Sequence, residues 1–159
     1  MNEQIKFIQA ETPSQINEAR SLFIEYSERL GIDLCFQSFE KELAELPGRY
    51  APPDGRLLLA ISDGQVAGCV ALRKIGDQVC EMKRLYVKPE FRGQGIGKAM
   101  AVHLIGEARA IGYDAMRLDT LPLQMKEAVK VYRSLGFRDI EPYYDNPVAG
   151  ALFLELLLR

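Results

Sequence analysis

Residues 84–98 read RLYVKPEFRGQGIGK and join an apolar strand to a helix through a glycine-rich turn. Gly93, Gly95 and Gly97 allow backbone N–H groups to crowd around an anion without interference from Cβ atoms. The N-terminus of the helix that follows adds unpaired donors and about half a positive charge. Arg92 and Lys98 flank the turn with full charges. The pattern predicts a pyrophosphate site, although a turn that only links a strand to a helix can also use glycine.

Two other phosphate-binding motifs fit this turn less well. A Walker A loop needs four residues between its glycines and a Ser or Thr after the lysine, whereas three residues separate Gly93 from Gly97 and no hydroxyl follows Lys98. A Rossmann fingerprint needs G-x-G-x-x-G directly after a strand, but the third glycine is missing here and Pro89 intervenes. Because Asp119 lies at a suitable spacing to contact a ribose, a Rossmann-type nucleotide-binding protein stays open as an alternative.

The rest of the chain supplies strands and helices around this turn. Upstream, periodicity and turn residues predict a strand at 5–8, a helix from a Thr12 cap to Gly31, a helix at 39–46, a loop at 49–55, and a meander of strands at 57–61, 65–73 and 79–87. Downstream they predict a helix ending at Gly112, a strand at 115–120, a helix at 124–135 and strands at 137–140 and 151–158. Strand–helix–strand alternation after an antiparallel meander requires a parallel crossover. The predicted fold is α+β, with a mixed sheet and helices on both faces.

Length and charge limit the function classes. The chain has 159 residues and a formal net charge of −2, which is typical of one domain, and we expect residues 1–159 to form it. No large cationic field is present, so we expect no nucleic-acid partner. No apolar run approaches the ~20 residues needed to span a membrane, and the N-terminus lacks a signal-peptide pattern. We therefore expect a cytoplasmic protein.

Cysteine and histidine are too sparse for several kinds of site. Cys35, Cys69 and Cys80 form no C-x-x-C pair and are expected to be reduced thiols. His103 is the only histidine and falls within a predicted helix. We therefore expect no metal site and no cysteine–histidine nucleophile.

Two motifs together resemble the GCN5-related N-acetyltransferase (GNAT) superfamily. The turn is similar to the acetyl-coenzyme A loop of that family, Gln/Arg-x-x-Gly-x-Gly/Ala, at Arg92, Gly95 and Gly97. The run VYRSLGF at residues 131–137 is similar to the aromatic-x-x-x-Gly-Phe signature near the C-terminus of the family. The order of predicted elements agrees with the family over nearly the whole chain.

The resemblance implies a fold and a cofactor site. In the family, the strand at 79–87 splays from a parallel neighbour, here 115–120, and the pantetheine of acetyl-CoA inserts between them. The implied cofactor-binding residues are Leu85, Tyr86, Val87, Arg92, Gly93, Gln94, Gly95, Ile96, Gly97 and Lys98. The family often has a cofactor-contacting Asn three residues before an Ala in the penultimate helix, where this chain has Met125 before Ala128.

The resemblance also implies acetyl transfer to the amine of a small molecule or peptide by direct attack in a ternary complex. Tyr132 matches the general acid of the family, and Glu81, on the strand that leads to the turn, is the expected base because a charged ammonium must lose a proton. Strand alternation places Glu81 on the same face as Lys83 and Leu85, but a bulge in this strand would shift the register, so the alternation does not decide the face. Tyr132 could instead only pack on its helix, and Glu81 could be an exposed strand residue.

The loop PYYDNP at residues 142–147 is the expected acceptor-facing segment, with Tyr143 and Tyr144 as substrate-binding residues. A surface turn is the alternative. Dimers are common in the family, so a homodimer is possible. A module of the same fold that binds acetyl-CoA without catalysis is the main functional alternative.

Overall fold

A mixed seven-stranded sheet forms the centre of the protein in the computed structural model, which describes residues 5–31, 34 and 38–159. The strands are β1 Ile5–Gln9, β2 Arg56–Ser62, β3 Gln65–Gly76, β4 Val79–Val87, β5 Ala115–Thr120, β6 Arg138–Asp139 and β7 Leu152–Leu157. Their spatial order in the sheet is β1-β2-β3-β4-β5-β7-β6. The helices are α1 Pro13–Leu30, α2 Phe39–Glu45, α3 Ile96–Ile111 and α4 Lys126–Ser134, with short 3-10 helices at Gly48–Tyr50 and Pro89–Phe91.

The only parallel pairing within the described residues joins β4 to β5, and it is short. Val79, Cys80 and Glu81 pair with Ala115, Met116 and Arg117, and the register ends there. Beyond that point β4 continues beside β3 up to Val87, while β5 continues beside β7 up to Thr120. The two strands therefore diverge and leave a gap in the sheet.

Each face of the sheet carries its own core. On one face, Met100, Leu104 and Ala108 of α3 pack on Met82 and Leu118. On the other face, Ala19, Leu22 and Phe23 of α1 pack on β2 and β3. The predicted fold class, a mixed sheet with helices on both faces, is confirmed.

Local sequence signals account for the helix ends. The Thr12 side chain accepts from the Gln15 N–H, and the Gln15 side chain accepts from the Thr12 N–H, which completes the predicted capping box. Gly31 and Gly112 end α1 and α3 in the left-handed conformation that glycine adopts without strain. Within the described ranges, no helix is both long and apolar enough to cross a membrane.

Candidate active site

The glycine-rich turn leads directly into α3. Gly93 and Gly95 have φ values of +81° and +78°, where any other residue would be strained, and Gly95 is the N-cap of the helix. Gly97 lies against the end of β4, where a Cβ atom would stand 3.6 Å from a methyl group of Val87. Ile96 is buried under the helix, whereas the turn from Arg92 to Gly95 is exposed. The first N–H groups of α3 therefore face an open turn, as an anion site requires.

Arg92 ties this turn to the end of β4. Its Nε donates to the Val87 carbonyl oxygen over 3.0 Å, and its guanidinium lies 5.6 Å from the centre of the Tyr86 ring. The side chains of Gln94 and Lys98 are exposed beside it. Two positive side chains and a helix N-terminus thus surround the same turn, next to the gap in the sheet.

A β-bulge interrupts β4 just before the predicted pantetheine-binding residues. Lys83 pairs with Ala71 and Tyr86 pairs with Cys69, so two residues of β4 stand opposite one residue of β3. Arg84, in this bulge, has a φ of +60°. Because of the extra residue, the Leu85 side chain packs in the core between the sheet and α3. The Tyr86 side chain packs in the core between the sheet and α1. The bulge shifts the alternation by one residue, so Leu85 lies on the face opposite Glu81 and Lys83.

Arg84 is anchored on the α1 and α2 side of the sheet. Its Nε and Nη2 donate to the two carboxylate oxygens of Glu42 over 3.0 and 2.8 Å, and its guanidinium lies 5.1 Å from the centre of the Phe39 ring. Burial disfavours the guanidinium charge, but the bonds to Glu42 outweigh it and raise the pKa of Arg84. This buried bidentate pair holds α2 against the bulge.

The gap between β4 and β5 opens into a narrow cleft of about 30 Å³. Its walls include Lys83 and Arg84 from β4 and Asp119 from the end of β5, with Tyr132 of α4 on a further side. We name this space the splay cleft. It brings the predicted acid together with charged side chains from both strands.

Tyr132 is almost fully buried in the splay cleft. Its ring packs edge-on against Phe137 at 5.7 Å. Burial raises the pKa of the phenol, and the nearby negative charge of Asp119 raises it further. Tyr132 therefore keeps its proton at neutral pH, which a general acid must do.

Glu81 is buried and engaged by two donors. Arg73 Nε donates to Oε1 over 2.7 Å, and the Tyr143 hydroxyl donates to Oε2 over 2.6 Å. Burial alone would raise the pKa of this carboxyl, but the positive charges of Lys83 and Arg73 and the two hydrogen bonds outweigh it and lower the pKa. Glu81 is thus a carboxylate at neutral pH, held on the α1 and α2 side beside Lys83.

Tyr143 and Tyr144 connect the loop at 142–147 to the two carboxylates. Tyr143 bonds to Glu81, and Tyr144 donates its hydroxyl to Asp119, which also accepts from Asn146 Nδ2 over 2.9 Å. Burial, followed by the charge of Glu81, raises the pKa of Tyr143. Both tyrosines therefore hold the loop over the point where β4 and β5 separate.

Lys83 is a buried cation between these groups, with only 6% of its surface exposed. Burial lowers its pKa to about 8, with the positive charge of Arg84 in the same direction and the carboxylates of Glu81 and Asp119 opposing it. A buried lysine with this pKa is partly neutral in mildly alkaline solution. Sequence alternation places it near Glu81, but nothing in the sequence shows that it is buried.

Sequence reasoning assigned no catalytic role to Asp119. It stands two residues after Arg117 on a strand whose parallel pairing ends at that arginine, so its side chain borders the gap. The signal that could have identified it is an acidic residue on β5 just beyond the last residue that pairs with β4. Without the position of the splay, that signal is indistinguishable from an ordinary strand residue.

Met125 replaces the amide that the family often has before α4. It is the N-cap residue of α4, and its sulfur accepts from the Tyr26 hydroxyl over 3.9 Å and the Thr120 hydroxyl over 4.0 Å. Met125 also lines the splay cleft. The thioether thus links α1, β5 and α4 at this point.

A comparison with known protein families identifies the family that has this fold and this glycine-rich turn. The acetyltransferase (GNAT) family matches residues 17–137, which include the turn, both splayed strands and Tyr132. The chain belongs to the GNAT family. An uncharacterized N-acetyltransferase of Schizosaccharomyces pombe is 40% identical to this GNAT chain, over 91% of this chain and 89% of that protein. The family and the acetyltransferase class predicted from the sequence are confirmed.

Solved structures show the same fold. A GNAT-family acetyltransferase of Staphylococcus aureus has a TM-score of 0.79 and 21% identity, covering 98% of this chain and 100% of its own. An acetyltransferase of Salmonella typhimurium, solved with its cofactor acetyl-CoA, has a TM-score of 0.71 and 19% identity, covering 98% of this chain and 94% of its own. Both likenesses extend over nearly the full GNAT chain.

Proposed function

We propose that this GNAT chain transfers the acetyl group of acetyl-CoA to the amine of a small molecule or peptide by direct attack in a ternary complex. The observation that carries the proposal is the gap between β4 and β5, with the glycine-rich turn beyond one strand end and Tyr132 in the cleft. The related Salmonella fold was solved with acetyl-CoA. Acetyl-CoA, when bound, supplies the acetyl group as a thioester.

The backbone of the turn and of β4 supplies the proposed cofactor contacts. N–H groups from Gln94 to Lys98, with the charges of Arg92 and Lys98, would hold the pyrophosphate. Leu85, Tyr86 and Val87, beyond the bulge, would pair their backbone groups with the pantetheine. Gly93, Gly95, Ile96 and Gly97 keep the turn tight, and a Cβ at either exposed positive-φ glycine would strain it.

Proton transfers complete the proposed reaction. The amine nitrogen forms a bond to the thioester carbon, the carbon–sulfur bond breaks, and Tyr132 donates its proton to the departing thiolate. The surplus proton of the amine passes to a carboxylate. Tyr132 suits the first role because it is protonated at neutral pH and its side chain lines the splay cleft, where its hydroxyl can donate to the departing sulfur.

Two carboxylates are candidates for the base. Glu81 is the candidate from sequence, but Arg73 and Tyr143 hold both of its oxygens and lower its pKa, which weakens it as a proton acceptor. Asp119 lines the splay cleft beside Tyr132, and its two donors, Tyr144 and Asn146, both bond the same oxygen, Oδ2. The geometry therefore favours Asp119 as the base and gives Glu81 the role of positioning Tyr143.

The pH dependence of kcat/KM separates the two carboxylates. We expect Asp119→Asn to lower kcat/KM by about 10²-fold or more and to remove the acidic limb of the profile, since general bases contribute about 10²–10⁴-fold. We expect Glu81→Gln to retain that limb. Loss of the limb in Glu81→Gln, together with its retention in Asp119→Asn, would return the role to Glu81.

An amine panel tests the function itself. The protein is mixed with acetyl-CoA and amino acids, polyamines, aminoglycosides or short peptides, and free thiol is followed. We expect amine-dependent thiol release that tracks the appearance of N-acetyl product. Binding of acetyl-CoA without release for any amine would favour the non-catalytic module, and binding of NAD in its place would favour the Rossmann alternative.

A further inference from the structure

A second, wider cleft lies beside the splay cleft on the α1 and α2 side of the sheet. Its volume is about 250 Å³, and it lies between α2, the 3-10 helix Gly48–Tyr50 and β3. We name it the α2 cleft. The mechanism proposed above makes no use of it.

Cationic side chains predominate among the described residues that line the α2 cleft. They are Lys41, Arg49 and Arg73, against Glu42 and Glu45. Glu42 is neutralised by its bidentate bonds to Arg84, and Arg73 by its bond to Glu81. Lys41, Arg49 and Glu45 remain, which leaves an excess of positive charge in the cleft.

A buried hydroxyl also faces the α2 cleft. Tyr50 lines it with 2% of its surface exposed, and its hydroxyl has no hydrogen-bond partner of ordinary geometry among the described residues. Burial raises the pKa of this phenol, and the nearby charge of Glu42 raises it further, so it remains a donor. Glu42 is close enough only for a distorted hydrogen bond, so a bound acceptor atom with ordinary geometry would satisfy this buried hydroxyl better.

Arg49 is already oriented for binding. Its Nη2 donates to the Lys74 carbonyl oxygen of β3 over 2.6 Å, which fixes the guanidinium at the rim of the cleft. A guanidinium offers five donors, so the others remain available. The fork of donors matches the two oxygens of a carboxylate.

The α2 cleft adjoins the proposed reaction centre. Arg84 lines the splay cleft and its partner Glu42 lines the α2 cleft, so this ion pair is the partition between them. Arg73 lines the α2 cleft and bonds Glu81, which holds Tyr143. An acceptor that lies across this ion pair would have its amine at the splay cleft and its other end in the α2 cleft.

From this arrangement we propose that the α2 cleft binds a carboxylate of the acceptor through Arg49, Lys41 and the Tyr50 hydroxyl, so that the preferred acceptors are amines that also carry a carboxylate. This inference rests on the acetyltransferase function proposed above. A polycationic acceptor would instead meet the charges of Lys41 and Arg49.

Matched acceptor pairs test the class. Glycine, β-alanine and γ-aminobutyrate are each compared with the corresponding amide, at constant ionic strength. The amide holds more of its amine in the neutral form at a given pH, so a preference for the acid cannot arise from amine reactivity. We expect kcat/KM for the acid to exceed that for its amide by about tenfold or more in at least one pair, as expected for hydrogen bonds to a charged group.

Substitutions in the α2 cleft test the site. Arg49→Gln and Tyr50→Phe should each raise KM for the acid by about tenfold, without altering KM for the amide or for acetyl-CoA. The matched control is Lys6→Gln, which removes an exposed cation on the edge strand β1 and should change none of these constants. Equal turnover of acids and amides, or equal effects of the cleft variants on both, overturns the inference and leaves the acetyltransferase function standing.

If the protein acetylates no acceptor of the panel, a binding measurement tests whether the α2 cleft holds a carboxylate. Succinate, a dicarboxylate without an amine, is titrated into wild type and Arg49→Gln and followed by NMR. Saturable binding that weakens about fivefold or more in the variant supports the inference. Absence of saturation, or equal affinity in both proteins, overturns it. Failure of acetyl-CoA to bind at all would overturn the proposed function instead.

Discussion

Tyr132 offers the most direct test at the level of one residue. A phenylalanine there keeps the edge-on packing against Phe137 and removes only the hydroxyl. We expect Tyr132→Phe to lower kcat by about 10²-fold, because a general acid contributes about 10²–10⁴-fold, with KM for acetyl-CoA unchanged. Steady-state thiol release measures both constants.

The matched control for that variant is Tyr113→Phe. Tyr113 is also buried, but its hydroxyl donates to the Asp54 carbonyl oxygen over 2.7 Å, and it does not line the splay cleft. We expect its kcat to match that of wild type. A fall of less than tenfold in Tyr132→Phe, with binding intact, would contradict the acid role.

Lys83 should make stability depend on pH in the alkaline range. Burial lowers its pKa from 10.5 to about 8, so the unfolded chain binds more protons than the folded protein between these values. The free energy of unfolding therefore rises with pH through this window. Below pH 8 the buried lysine is charged, and the full cost of burying that charge destabilises the folded protein. Relative to Lys83→Met, wild type should gain roughly 3 kcal/mol in free energy of unfolding from pH 8 to pH 10.5.

Urea unfolding at several pH values across that window checks the Lys83 prediction. The quantity to compare is the difference in free energy of unfolding between the two proteins, since other groups titrate equally in both. A difference that stays constant from pH 8 to pH 10.5 would contradict a lowered pKa at this position.

Among the individual residues of the candidate active site, some could be predicted from the sequence. Tyr132 belongs to a local motif, and the glycines of the turn lie within a few residues of each other, so short patterns identify them. The burial of Lys83 and the position of Asp119 result from where β4 and β5 separate, which is a tertiary property. The catalytic use of Glu81 stays a prediction.

At the level of the elements, the close pairing of β3 with β4 depends on Gly68. It stands opposite Val87, and a Cβ added there would lie 2.3 Å from the Tyr86 carbonyl oxygen. We expect Gly68→Ala to lower the free energy of unfolding by about 2 kcal/mol or more, since backbone must move to admit the methyl group. KM for acetyl-CoA should also rise, because the displaced segment is the proposed pantetheine-binding one.

Gly106→Ala is the matched control for Gly68→Ala. Gly106 is exposed on α3, and a Cβ there meets nothing within 4 Å. Alanine within a helix should stabilise the protein by about 0.5–1 kcal/mol. Chemical denaturation of both variants measures the contrast, and similar stabilities for the two would contradict the steric account of Gly68.

Most elements could be predicted from hydrophobic periodicity and turn residues. The structure gives 79–87 and 115–120 the bounds expected, and it extends β3 to Gly76 while shortening the helix at 124–135 to Lys126–Ser134. The position of the bulge could not be read from the sequence, because Arg84 adopts its positive φ value where a buried ion pair with the distant Glu42 holds it. The face of Leu85 therefore stayed open until the structure located the bulge.

For the whole molecule, ligand-dependent stability distinguishes the functional classes. A ligand that binds only the folded state at a hundredfold excess over Kd adds about 2.7 kcal/mol. For a chain of this size we expect acetyl-CoA to raise Tm by roughly 5 °C or more. NAD and ATP at the same concentration should produce no comparable shift.

Arg92→Gln should reduce the shift that acetyl-CoA produces, because its guanidinium stands beside the turn proposed to hold the pyrophosphate. Differential scanning calorimetry measures each Tm. A shift with NAD that exceeds the shift with acetyl-CoA would contradict the assignment of the turn and favour the Rossmann alternative.

The order of elements, with two short motifs, was enough to predict the family. The acceptor was not predictable, because a formal net charge of −2 hides the local excess of cations beside α2. Those cations, Lys41 and Arg49, come from α2 and a 3-10 helix, and only the folded chain brings them to one cleft.

The divergence of β4 from β5 divides the sheet into two parts that are each continuous along the chain, residues 5–87 and residues 115–157. Three register pairs join the parts. Backbone amides of β4 that point into the gap beyond Glu81 therefore have no strand on that side, and we expect them to exchange their hydrogens with deuterium quickly. A molecule bound between β4 and β5 would accept hydrogen bonds from these amides as an additional strand would. Its binding should therefore slow the hydrogen exchange of the β4 amides that face the gap.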